Sequence, residues 1–149
     1  MAILDPQGAV FSRLNSQSSV TDIMDAYTPV GGVSGPALFS SSIPPDHTYG
    51  PKATAVIDAP TQNLSDDTAT EEYRDVVIRV RLYNAPDGSN QSLFQAAETC
   101  RDVLKNWPDE VIGGATYKVV SVSGPDAAPT TDPIVDGLLL SVRLLIKES

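Results

Sequence analysis

Few residues here have the type and spacing that chemistry needs. The chain of 149 residues holds one histidine, His47 in PPDHTYG, and one cysteine, Cys100. One histidine could serve a Ser–His–Asp arrangement, but a loop setting with no GxSxG elbow does not point to one. His47 therefore reads as an ordinary loop residue, and a metal site built on several histidines is ruled out. Cys100 falls on the apolar side of a helical stretch, whereas a nucleophilic thiol needs an exposed, electropositive setting. The Gly-rich VGGVSGP (30–36) lacks the lysine and following helix of a phosphate-binding loop. The acidic pairs in SDD (65–67) and TEE (70–72) could hold a divalent ion weakly, but without EF-hand spacing they read as a solvated loop. Trp107 reads as a core anchor. The expectation is a protein with no catalytic, metal or cofactor site.

Surfaces carry more information. VVIRVRLY (76–83) alternates Ile78, Val80 and Leu82 with Arg79, Arg81 and Tyr83, so one strand presents an apolar face and an arginine-bearing face. Overall the chain is acidic, with 10 Lys and Arg against 19 Asp and Glu, a net charge of −9. Such a balance opposes the phosphate neutralisation that drives non-specific nucleic-acid binding. Arg74, Arg79, Arg81, Lys118, Arg143 and Lys147 lie in strand-like stretches, while Asp66, Asp67, Glu71, Glu72 and most other acids lie in connections.

The elements that must position these groups can be read from periodicity and punctuation. Asp5 and Pro6 form a helix-start signal, with Val10, Phe11 and Leu14 on one face. A second short helix is expected from Ser19, carrying Val20, Ile23, Met24 and Tyr27 at helical spacing. Residues 28–51 are rich in Gly, Pro and Ser and read as a long loop, with an edge strand near Ala37–Ser41. KATAVIDA (52–59) is a strand, 59–72 an exposed acidic loop, and Tyr73–Tyr83 a long strand. QSLFQAAETCRDVLKNW is the best helix, with Ser92 and Gln95 fitting a capping box and Pro108 stopping it. Its apolar face is Leu93, Ala97, Cys100, Leu104 and Trp107. GGATYKVVSVSG (113–124) is a strand, 124–134 a loop, and IVDGLLLSVRLLIKE the last strand.

The order ααββαββ predicts one α+β domain over residues 1–149. It has an antiparallel (mixed) four-stranded sheet, with one long helix and short N-terminal helices packed on one face. A chain of this length buries roughly 68–70% of its unfolded surface without a disulfide or metal staple. The N-terminus MAILDPQG lacks the basic start of a secretory signal, and no apolar run approaches a membrane span of ~20 residues. A soluble protein is expected.

In the last strand, Leu138, Leu140, Val142, Leu144 and Ile146 alternate with Leu139, Ser141, Arg143, Leu145 and Lys147. A face meant only for water would be cleaner in polarity, and arginine among aromatic and aliphatic residues is the composition of a protein contact. The candidate interface is Arg79, Arg81, Tyr83 and Arg143, with Asp66, Asp67, Glu71 and Glu72 as complementary acids on a neighbouring copy. The competing reading matches the arginines to a cross-strand carboxylate such as Asp58 within one chain.

Taken in order, AVFSRL…VTDIMDAY, the Gly/Pro stretch, RDVVIRVRLYNA, SLFQAAETCRDVLKNW and GGATYKVVSV resemble the tail terminator (tail completion) proteins of long-tailed bacteriophages. The resemblance covers nearly the whole chain as a pattern of elements, without a diagnostic motif. It implies a structural virion protein that forms a ring, commonly of six subunits, at the head-proximal end of the tail tube. Such a ring ends tube polymerisation and offers a surface for head attachment. The implied partners are further copies of the chain, the tail tube protein and the head–tail connector or neck proteins. DNA only passes through the lumen, and no membrane is involved. Assembly would occur in the host cytoplasm. A connector or neck ring of the same particle, or a small ligand-binding α+β domain with loop 28–51 closing over a pocket, are the alternatives.

Overall fold

A computed structural model describes residues 4–62, 73–85, 90–127 and 136–148. Three helices occur among them: α1 (Pro6–Asn15), α2 (Ser18–Thr21) and α3 (Asn90–Lys105). The strands are β1 (Ala26–Tyr27), β2 (Gly35–Pro36), β3 (Leu38–Ser40), β4 (Thr54–Ile57), β5 (Thr61–Gln62), β6 (Tyr73–Asn84), β7 (Glu110–Ile112), β8 (Ala115–Ala127) and β9 (Asp136–Glu148). The α+β class holds, but the expected four strands become a seven-stranded sheet of order β3-β4-β6-β9-β8-β7, with β5 also on β6, beside a separate β1–β2 pair. The sheet is mixed because β3 runs parallel to β4, while every other pairing is antiparallel.

The start of α1 has a local cause. The Asp5 carboxylate accepts a hydrogen bond from the Gly8 amide at 2.9 Å, and Pro6 takes the first helical position, where a missing N–H costs nothing. The expected second helix is a single turn; the chain then extends, so Tyr27 lies on β1, not on a helix face. Helix α3 begins at Asn90, which places Ser92 and Gln95 inside its first two turns instead of at a capping box. Arg13 ties α1 to α3 by donating from Nε and Nη2 to the Val103 carbonyl at 3.3 and 3.2 Å.

One face of the sheet forms the floor of the core. Ile78, Val80 and Leu82 from β6, and Leu140, Val142, Leu144 and Ile146 from β9, are fully buried against Leu93, Ala97, Cys100, Leu104 and Trp107. The register makes this possible. Every residue of β6 from Tyr73 to Asn84 has a partner on β9, and Ile78, Val80 and Leu82 stand opposite Val142, Leu140 and Leu138.

Strand β8 keeps that alternation only by interruption. Its pairing with β9 shifts between Val119 and Ser121, so one extra residue is absorbed at Val120. Val119 pairs with Leu144 and Val122 with Val142, both on the core face. Without the shift, Ser121 would point into the core. A second irregularity falls between Ser123 and Asp126, where Gly124 has φ +105° and a Cβ would meet the Leu139 carbonyl oxygen at 2.5 Å.

Candidate interface on the helix-free face

Among the described residues no helix covers the opposite face of β6, β8 and β9, and its composition is set by the same registers. Across the strands, Lys118 stands beside Leu145 and Leu145 beside Asp75; Ser121 beside Arg143 and Arg143 beside Val77; Ser123 beside Ser141 and Ser141 beside Arg79. Leu139 lies between Asp126 and Arg81, and Val56 continues that row on β4. Val77, Leu139 and Leu145 are only partly buried. The cations Arg79, Arg81, Arg143, Lys118 and Lys147 are nearly balanced by the carboxylates Asp58, Asp75, Asp109 and Asp126 among the described residues of this face, whereas the chain as a whole is at −9.

The three strand arginines fare differently. Arg81 grips Asp58: its Nε lies 3.0 and 2.9 Å from the two carboxylate oxygens, and its Nη2 lies 2.7 Å from Oδ1. Its Nη1 donates to the Tyr83 hydroxyl at 3.1 Å, and its pKa is raised, chiefly by the hydrogen bonds to Asp58. Arg143 reaches diagonally to Asp75, whose carboxylate is buried beneath it, with Nε 3.0 and 3.1 Å from the two oxygens. Arg79 is exposed. Thus the intrachain pairing with Asp58, the competing reading of the sequence, is present for Arg81.

Tyr83 is not presented to solvent. It is 5% exposed, and its ring meets Tyr49 edge-on at 6.5 Å between centroids. Tyr49 continues into a cluster that the sequence pattern did not reveal. His47 lies 5.4 to 5.7 Å from the rings of Tyr49, Phe39 and Tyr27, all edge-to-face. The signal was the density of rings (Tyr27, Phe39, His47, Tyr49) within a stretch otherwise rich in Gly, Pro and Ser.

This cluster docks segment 28–51 onto the outer side of β4 and β6. His47 Nε2 lies 2.7 Å from Thr54 Oγ1. Thr54 is fully buried, so its hydroxyl cannot meet a substrate carbonyl, and the pair acts as a pin, not as a nucleophile with its base. Burial lowers the His47 pKa, opposed by the nearby charges of Asp25 and Asp46. Asp25 closes the base of the segment by accepting from the amides of Gly50 at 3.1 Å and Lys52 at 3.2 Å. A Cβ on Gly50 would meet Asp25 Oδ1 at 2.5 Å, so a larger residue there would displace the carboxylate from these amides. The segment spends its aromatic side chains on one another and on the sheet.

Cys100 is fully buried on α3, and burial pushes its thiol up to about 12. Trp107 is 5% exposed and donates from Nε1 to Glu110 Oε2 at 2.8 Å. Among the described residues no group of three His, Cys, Asp or Glu could hold a metal ion, and no helix is long and apolar enough to cross a membrane. The candidate acids Asp66, Asp67, Glu71 and Glu72 lie outside the described residues. The chain matches no family model and no curated protein sequence.

Proposed function

We propose that this protein is a structural component of a bacteriophage tail, a terminator ring that caps the head-proximal end of the tail tube. The observation that carries the proposal is the helix-free face of β6, β8 and β9. It mixes Val77, Leu139 and Leu145 with arginine and lysine, near charge balance in a chain at −9. A surface of this composition suits contact with a protein partner. The work of such a ring is steric and adhesive: one side binds the last tube subunits, and the other refuses another layer. The pinned state of segment 28–51 favours this over the ligand-binding alternative, since His47 is spent on Thr54 and the Tyr49 ring packs on Tyr83.

Deleting the reading frame from the phage that encodes it, followed by negative-stain imaging of the lysate, tests the proposal. Overlong tails detached from filled heads are expected. Tails of normal length beside finished heads would move the protein to the neck, as a head–tail connector. Intact infectious particles would remove it from the tail.

A further inference from the structure

No Asp, Glu, Lys or Arg occurs between Asp25 and Asp46, in a chain at −9. Strands β1 and β2 fold part of this stretch into a hairpin, pairing Ala26 with Pro36 and Tyr27 with Gly35. Its base is held firmly. The Ala37 amide donates to the Asp25 carbonyl at 2.7 Å, the Tyr27 hydroxyl donates to Asp46 at 3.0 Å, and the Tyr27 ring meets Phe39 edge-on at 5.1 Å. Its tip is turned outward, with residues 28–34 all exposed. There the Gly32 amide donates to the Pro29 carbonyl at 2.9 Å, and Gly31 takes φ +73°, as the third position of a type II turn requires. Val30, at the second position of this turn, is 96% exposed, and Val33 is 89% exposed. No other large apolar side chain among the described residues is as open to water.

We propose that the β1–β2 tip is a contact separate from the open sheet face, and that Val30 and Val33 seat in an apolar, uncharged cleft on a different protein, the tail tube subunit. The tube is named on the terminator reading, on which the inference rests; the chemistry of the cleft follows from the tip. A convex end needs a concave partner, and an arm without ions returns nothing to a charge that it strips of water. This argues against a second copy of the chain. Of its described clefts, one has Arg74 in its wall, another Asp5 and Glu110, and a third Asp109, Lys118 and Lys147. A lipid surface is matched by basic and aromatic residues around the inserting side chains, whereas the charges that flank this arm are Asp25 and Asp46. Little order has to be created on binding, because valine is stiff at χ1 and the base of the hairpin is already fixed.

The test uses the full chain and purified tail tubes, with co-sedimentation for joining, native mass spectrometry of the chain alone, and melting temperature. For Val30→Ser combined with Val33→Ser, affinity for tubes should fall by roughly a hundredfold, about tenfold for each valine no longer buried. The melting temperature and the oligomeric state of the chain alone should not change. A double variant that joins tubes as the wild type does overturns the inference and leaves the terminator reading standing. A wild-type chain that does not join tubes overturns both. Three further results would each place something else at the tip and overturn the inference. A lower melting temperature in the double variant assigns the valines to packing within the chain. Loss of self-association assigns them to a second copy. Retention on phosphatidylcholine vesicles that the two serines abolish assigns them to lipid.

Discussion

Strands β6 and β9 separate two surfaces that share every backbone hydrogen bond between them and little else. On one side Ile78, Val80, Leu140, Val142, Leu144 and Ile146 are excluded from water by α3 and α1. On the other, Arg79 and Arg143 are exposed between partly buried Val77, Leu139 and Leu145. Side chains one residue apart therefore answer to different physics. The covered face is held by the area it removes from water, and the open face by a few charge pairs. Changes on the covered face are thus felt as stability, as are changes to the ion pairs of the open face, and changes at exposed Arg79 as association.

The largest effect belongs to the covered face. Leu144→Ala should cost about 2–5 kcal/mol, the range for truncating a large aliphatic residue in a packed core, measured by urea denaturation. An effect below ~1 kcal/mol would mean that the helices do not pack against this side chain. Next comes Asp75→Ala. The carboxylate is buried under Arg143, and its removal should cost about 2 kcal/mol, the scale for a hydrogen bond to a charged group. A neutral result would place this pair with ordinary surface ion pairs and blur the contrast within the open face.

A smaller effect depends on pH. Burial lowers the His47 pKa below its ordinary 6.5, so the unfolded chain takes up the proton first. The contribution of neutral His47 is complete above 6.5 and is lost as pH falls from there through the lowered value. The melting temperature of the wild type should drop over that window more than that of His47→Gln. Parallel curves would show that segment 28–51 is not held by this imidazole. The charges of Asp25 and Asp46 bear on the ring and oppose the lowering. The smallest effect is that of Arg79→Ala on folding, expected within ~0.5 kcal/mol, as for a surface residue outside any network. A larger loss would contradict the assignment of Arg79 to association alone.

Much of the long-element structure was legible in the sequence, because a long stretch carries several repeats of its own period. Alternation in β6 and β9 separated the two faces, and the spacing of Leu93, Ala97, Cys100 and Leu104 identified the buried side of α3, with Trp107 buried just beyond its end. Strands β5 and β7 were not legible: two or three residues cannot display a period, and both exist because a longer neighbour offers an edge. The same holds for the parallel pairing of β3 with β4, which depends on the path of segment 28–51. At the candidate site, the pattern showed where the arginines point but not which were already matched. Arg81 and Asp58 are 23 positions apart, and Arg143 and Asp75 are 68 apart, so only the registers of β4, β6 and β9 bring each pair together. The aromatic cluster around His47 was hidden for a related reason, since its members come from three strands and a loop.

The unbroken ladder between β6 and β9 has a mechanical consequence. Tension along the strand axes would load all of its hydrogen bonds together in shear, from Tyr73–Lys147 to Asn84–Asp136, and no single bond could fail alone. Strand β7, joined to β8 by three consecutive pairs at one end, would instead peel. Force passing through the molecule is thus borne by the two central strands, while the periphery can give way without rupturing them.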